Sequence, residues 1–380
     1  MKIRVVFLVR SLGFGGMERQ LLALVKGIDP LRFEVTILSF YAGGAMLPEI
    51  EQAGVPVVTL GKGGRWDVVT FLGRLVKAIR SLQPDILHAY LPVPNFLAAL
   101  LKLVFPRLHV VMGVRTSGKD LRQYDWTFRV SFWLEKLFSG LADLIIVNSL
   151  AGKTAYEKKG FNPRKLLVIS NGVDTALYRP DPQAGAPLRQ GWDVPECGVL
   201  VGVIGRLDPM KGHLVFLRAA ARLASEFPAL RLVCVGDGPQ VYRRKLEEMS
   251  VSLGLQGRLT WVEARRQVAA VYHALDICCS ASIFGEGFPN VVGEAMACGI
   301  ACVVTDVGDS ALVVGETGGV APVSDVEALA QALRTMILLS DAQRSAMGEM
   351  ARQRILSNFS LQRMISNTET ALVALVGDKA

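Results

Sequence analysis

Val5-Val6-Phe7-Leu8-Val9-Arg10-Ser11-Leu12-Gly13-Phe14-Gly15-Gly16-Met17-Glu18 runs from an unbroken apolar segment through a glycine-rich turn into an amphipathic stretch that starts near Met17. Five consecutive apolar residues read as a strand buried on both faces, and the turn followed by helical periodicity makes one strand–turn–helix unit of a parallel sheet. Glycines at such a turn let backbone N–H groups approach a phosphate at the helix N-terminus, where the helix dipole favours negative charge. The dinucleotide-binding fingerprint is incomplete, because Glu18 stands where a third glycine is required after Gly13 and Gly15.

The same rhythm recurs at residues 34–39, 55–60, 85–88, 109–114 and 144–148, and restarts at 198–205, 230–236, 259–262, 277–280 and 301–305. Strands alternating with helical lengths predict an α/β chain of two doubly wound, Rossmann-like parallel-sheet domains facing across a cleft. The expected division is 1–177 for the first domain, 178–195 for a Pro-containing linker, 196–357 for the second domain, and 358–380 for a C-terminal helix packing back on the first. Residues 341–376 read as consecutive helices with a polar break at 357–360. Ligands of open α/β sheets sit at the carboxyl ends of strands, so the chemistry is sought in the strand-to-helix loops.

Composition narrows the class. Of 380 residues, 51% are hydrophobic and 20% charged, which places the chain among globular proteins. Mean hydropathy is +0.35, yet the longest apolar candidate, residues 96–105, contains Lys102 and falls short of the roughly 20 residues a membrane helix needs. Arg10 interrupts the N-terminal apolar run and no small-residue cleavage site follows, so the expectation is a buried first strand and a cytoplasmic protein. All six cysteines lie in the second half without a C-x-x-C, and there are only four histidines, which predicts reduced structural thiols. Residues 1–180 hold 24 Lys and Arg against 13 Asp and Glu, a net +11, whereas residues 181–380 hold 18 against 21, a net −3. A basic first half suits an anionic lipid surface, a phosphorylated ligand or nucleic acid, the alternative being a solvated basic surface.

Two further loops carry charge. Val203-Ile204-Gly205-Arg206-Leu207-Asp208-Pro209-Met210-Lys211-Gly212 is a strand ending in a turn with two cations, suited to a diphosphate. Gly285-Glu286-Gly287-Phe288-Pro289-Asn290-Val291-Val292-Gly293-Glu294-Ala295-Met296-Ala297 places Glu286 on a loop and Glu294 in the second turn of a helix starting at Pro289. Apolar neighbours surround Glu294, so it is expected to accept hydrogen bonds from ligand hydroxyls. The Gly152-Lys153-Thr154 run is a phosphate-loop decoy, since Val147 stands where that motif's first glycine belongs.

The two glutamates, with Arg206 and Lys211 before them, resemble the retaining glycosyltransferases of family four, which have the GT-B fold. The resemblance extends to Gly15-Gly16-Met17-Glu18, Asp85-Ile86-Leu87-His88, Asn148-Ser149, Asn171-Gly172-Val173-Asp174, Gly236-Asp237-Gly238-Pro239 and Val307-Gly308-Asp309, covering nearly the whole chain. It implies an acceptor-side first domain and a donor-side second domain. Arg206 and Lys211 would then hold the donor diphosphate, Glu294 the ribose, and Glu286 the transferred sugar near the reacting carbon. Gly287, Phe288, Pro289, Asn290, Val291 and Val292 would complete the donor site, with Gly15 and Gly16 approaching the phosphate. His88, Arg115 and Asn171 are candidates for acceptor or cleft contacts.

This chain departs from the family's pattern at Arg115-Thr116-Ser117, where many members have a His, and at Tyr90, where a second His often stands. A guanidinium stays protonated, so Arg115 inherits no acid–base role, though it suits an anionic donor, acceptor or leaving group. The expected reaction moves a sugar from a nucleotide diphosphate, a UDP-sugar foremost, to a lipid-linked or polysaccharide acceptor such as a lipopolysaccharide precursor. With no D-x-D sequence, neither metal nor cofactor is expected, and attack on the departing phosphate's face is favoured. The +11 half and the apolar-basic residues 122–138 point to a peripheral position on the inner membrane face, without nucleic acid. Competing readings are a nicotinamide-dependent enzyme, a non-catalytic membrane-surface protein, and another GT-B enzyme such as a nucleotide-sugar epimerase.

Overall fold

The computed structural model describes residues 1–380 apart from 14, 65–66, 116–125, 182, 266 and 378–380. It divides into two compact units. One contains Met1–Gly172 and the helix Leu361–Val376; the other is Val173–Ser360.

The first unit is built on seven parallel strands, β1 Ile3–Val9, β2 Phe33–Ser39, β3 Val57–Thr59, β4 Ile86–Tyr90, β5 His109–Val114, β6 Leu144–Val147 and β7 Leu166–Val168, in the order β3-β2-β1-β4-β5-β6-β7. Phe7 of β1 lies level with Ile37 of β2 on one side and His88 of β4 on the other. The pleat sends Val6 and Leu8 into one apolar cluster and Val5, Phe7 and Val9 into another, which is why the opening segment reads apolar at every position. The helix Leu361–Val376 closes the second of these clusters. Ile365 packs so tightly on Gly27, at the end of helix Gly16–Gly27, that a β-carbon there would collide with it, and Asp29 N–H donates to Glu369 Oε1 at 2.7 Å.

The second unit has six parallel strands, β8 Leu200–Ile204, β9 Arg231–Val235, β10 Leu259–Val262, β11 Ile277–Ser280, β12 Ala301–Thr305 and β13 Gly318–Ala321, ordered β10-β9-β8-β11-β12-β13. Apolar clusters cover both of its faces as well. The helix Asp341–Asn358 belongs to this unit and starts in a capping box in which Ser340 and Gln343 exchange hydrogen bonds.

In both sheets the winding direction reverses beside the first strand, between β1 and β4 and between β8 and β11. Such switch points leave a crevice at the carboxyl ends of the two strands, because their following loops turn to opposite faces. β7 and β13 are absent from the sequence reading. They are three- and four-residue edge strands: β13 opens with Gly318-Gly319, and the apolar β7, Leu166-Leu167-Val168, is short, with Leu167 exposed.

Candidate functional site

In the second unit the chain leaves β8 through Gly205 and Arg206. Asp208 Oδ1 accepts the Met210 N–H at 2.9 Å and so starts the 3-10 turn Pro209–Lys211. Gly212 follows with φ +65°, where a β-carbon would run into the Ala281 carbonyl, and the helix His213–Ala224 begins. This tight exit keeps Lys211 beside the loop that follows β11, on the other side of the switch point. There its Nζ pairs with Glu286 Oε1, which also accepts the Ser282 hydroxyl at 2.7 Å.

Glu286 sits on a loop, as its sequence implies, but it is buried rather than open to solvent. The loop is clamped on two sides. Ile283 N–H donates to the Met210 carbonyl at 2.8 Å, and Asp309 N–H to the Gly287 carbonyl at 3.0 Å. Gly308, at φ +62°, approaches the Glu286 and Gly287 carbonyls so closely that any side chain would force them apart. Arg206 differs from Lys211: its side chain is 72% exposed, with Nη2 3.6 Å from Asp208 Oδ2. The two cations therefore occupy the carboxyl end of one central strand, one locked to a carboxylate and one reaching into solvent.

The loop leads through Phe288 and Pro289 into the helix Asn290–Ala297. At a helix start the first N–H groups have no intrahelical acceptor, so Val291 and Val292 present donors on the side where an anion is favoured. Glu294 lies in the second turn, buried, with Oε2 accepting the Tyr272 hydroxyl at 2.7 Å. Burial and the adjacent carboxylate push Tyr272 well above the usual phenol range, so it stays protonated and donates. His213, behind Lys211, is pushed down to about 4 by burial and by Lys211, and is neutral at pH 7.

In the first unit, Gly15 is the N-cap of helix Gly16–Gly27. Glu18 folds back over it: a β-carbon on Gly15 would lie 2.5 Å from Glu18 Oε2. A carboxylate of the chain's own thus lies at the helix start where a phosphate was expected, and burial raises its pKa. His88 is a core residue, packed 5.3 Å from Phe7 and stacked on Tyr90 at 4.6 Å, and burial holds it well below the usual imidazole range. Arg115 leaves β5 with its guanidinium 4.6 Å above the Tyr90 ring and Nη1 donating to Asn171 Oδ1 at 3.0 Å. Arg115 and Asn171 are therefore brought together; Thr116 and Ser117 lie outside the described residues.

Ser282, Tyr272 and Tyr90 were not singled out as site residues from sequence. Tyr90 was visible only as a departure from the family's pattern, and the other two carried no local signal. The Gly152-Lys153 decoy is the first turn of helix Leu150–Lys158, with Gly152 N–H donating to its N-cap, Ser149, at 3.0 Å. All six cysteines are free, five of them buried, and burial pushes Cys298 up to about 12. No cluster of three or more His, Cys, Asp or Glu suited to a metal occurs among the described residues.

Residues 14–177 match the family described as glycosyltransferase family 4, and residues 198–338 match the family described as glycosyl transferases group 1. A D-inositol 3-phosphate glycosyltransferase of Rhodococcus erythropolis is 33% identical over 206 residues, 52% of this chain and about half, 46%, of that protein's length. A phosphatidyl-myo-inositol mannosyltransferase of Mycolicibacterium smegmatis is 29% identical over 90% of this chain and 86% of its own. Among solved structures, Anabaena HepE in complex with UDP superposes with a TM-score of 0.85 at 25% identity, over 98% of this chain and 99% of that one. The same protein in complex with UDP-glucose gives 0.84 at 25% identity, over 97% and 99%.

Proposed function

The chain belongs to the family 4 glycosyltransferases with the GT-B fold, and from that membership we propose that it moves a hexose from a nucleotide diphosphate, UDP foremost, to a lipid-linked or polysaccharide acceptor, retaining the anomeric configuration. The observation that carries this reading is the Lys211–Glu286 pair beside Arg206, at the switch point between β8 and β11. The binding of UDP and UDP-glucose by HepE supports the choice of donor.

In this reading the donor diphosphate lies against Arg206, Lys211 and the helix start at Asn290–Ala297. As the anomeric C–O bond lengthens, the sugar gains oxocarbenium character and the diphosphate gains negative charge, which the two cations and the N–H donors stabilise. Glu286 faces the transferred sugar while holding Lys211 in place. Glu294, oriented by Tyr272, accepts hydrogen bonds from the ribose. The acceptor hydroxyl attacks from the face the diphosphate is leaving, and a departing phosphate oxygen takes its proton. The cations occupy the charge-neutralising role, so turnover persists in EDTA.

The acceptor is assigned to the basic first unit. Its helix Trp126–Phe138 exposes Trp126, Val130, Trp133 and Leu137 along one stripe, flanked by the exposed Arg129 and Lys136, a pattern suited to an anionic bilayer surface. Residues 122–125 of the apolar-basic stretch lie outside the described residues, and no helix among the described residues is long and apolar enough to cross a membrane.

A thermal-shift panel of UDP, GDP, ADP, CMP and NAD, run in EDTA, tests the donor site. Saturation by one nucleoside diphosphate is expected to raise the melting temperature by roughly 2–4 °C and to do nothing in Arg206→Ala. A shift with NAD alone, or with none of the five, removes the assignment.

A further inference from the structure

Four neighbouring strands of the first sheet end in polar residues: Tyr90 closes β4, Arg115 follows β5, Asn148 follows β6 and Asn171 lies beyond β7. We propose that these residues form a subsite for an oxyanion, a phosphate or carboxylate carried by the acceptor, with Arg115 supplying the charge and Asn148 receiving an adjacent hydroxyl. The word acceptor rests on the transferase reading above; the oxyanion site stands without it.

The Tyr90 ring supports one face of the Arg115 guanidinium, and Asn171 takes a hydrogen bond from Nη1. Nε is buried and has no hydrogen-bond partner, and Arg115 makes no ion pair with a carboxylate among the described residues. An arginine serving only to tie the strand ends together would spend its buried N–H on a carbonyl or carboxylate, since a buried donor left unmade is unfavourable. With Nη1 engaged and Nε enclosed, Nη2 is the donor left for an oxyanion, in a charge-assisted hydrogen bond.

The surroundings fit the same ligand. Asn148 Oδ1 is buried without a partner, and Asn148 is drawn beside Arg115 because its N–H bonds to the Val114 carbonyl at 3.1 Å. Stacked on Tyr90, His88 is neutral, which leaves Arg115 as the charge of the group. The strand end beneath is rigid: the Asn95 side chain bonds both the N–H and the carbonyl of Gly113 at 3.2 Å. A guanidinium fixed before the ligand arrives loses little further freedom on binding.

Isothermal titration of the full-length wild type, Arg115→Met, Arg115→Lys and Arg206→Ala with inorganic phosphate, and separately with UDP, tests the subsite. The wild type is expected to take up phosphate saturably, also when already saturated with UDP. Arg115→Met should weaken phosphate at least about tenfold and leave UDP affinity within about twofold, while Arg206→Ala loses UDP. Arg115→Lys, which keeps the charge without the fork, should fall between, and it serves if the methionine variant folds poorly. Phosphate uptake that is absent, or indifferent to Arg115, overturns the proposal. So does a loss of UDP in Arg115→Met matching that in Arg206→Ala, which would assign Arg115 to the donor diphosphate. Arg115-dependent phosphate uptake with no UDP binding in any protein would leave the oxyanion site standing and remove the transferase reading.

Discussion

At the scale of single residues, the decisive feature of the second unit is that Glu286 and Lys211 are each other's partners before any ligand arrives. A buried carboxylate that keeps its lysine is positioned, whereas one that loses it is an uncompensated charge. Glu286→Gln preserves volume and an acceptor for Ser282, so it should fold like the wild type while kcat falls by at least about 100-fold. Lys211→Met should lose activity and also stability, by about 3–5 kcal/mol, because Glu286 is then left buried with only a hydroxyl. Steady-state kinetics with urea unfolding separates the two, and a fully active Glu286→Gln enzyme would remove this carboxylate from the reaction. Arg206, Lys211, Glu286 and Glu294 were legible in sequence because their spacing around predicted strand ends and a helix start is local. Tyr272 was not legible: it is 22 residues from Glu294, on a different helix, and an apolar setting for a lone Tyr signals only core.

At the scale of elements, eleven strands were readable from apolar runs, and the two missed are short edges that bury one side only. The helix Trp126–Phe138 carries a feature that no pattern announced. Glu135, on its inner face, is buried, accepts the Asn95 side-chain N–H at 2.6 Å and meets the Tyr156 hydroxyl at 3.4 Å. Burial pushes its carboxyl up to about 7 from an ordinary 4.5. Between those values the folded chain binds more protons than the unfolded chain, so Glu135 makes stability fall as pH rises through that window. Glu135→Gln keeps the hydrogen-bond geometry without the charge. Going from pH 5 to pH 8, the wild type should lose roughly 1–3 kcal/mol relative to this variant, measured by urea unfolding at each pH. His213 titrates in the opposite sense but is present in both proteins and cancels in the difference. Parallel pH curves would show that Glu135 is ionised in the fold.

At the scale of the whole molecule, net charge is shared unevenly, +11 for residues 1–180 and −3 for the rest. Two exposed tryptophans on one helix stripe, 67% and 60% accessible, lie in the basic part. Full-length protein should co-sediment with vesicles containing phosphatidylglycerol more than with neutral ones, and less as salt rises, since screening weakens only the charge contribution. Trp126→Ser with Trp133→Ser should reduce binding at least about tenfold at constant charge. Equal sedimentation of both proteins would mean that the stripe does not meet the bilayer.

The sequence by itself determined the two parallel sheets, the strand-to-helix loops at their switch points and the residue types within them. Strand and helix periodicity and glycine turns are local properties that survive without knowledge of neighbours. Only the tertiary structure decided that Lys211 is spent on Glu286, 75 residues away, that Tyr272 orients Glu294, and that Arg115 rests on Tyr90 and bonds to Asn171, 56 residues away. Those pairings depend on which strands lie side by side at each switch point and how deeply the following loops are buried. Strand order and burial follow from the packing of the whole unit, which no local pattern encodes.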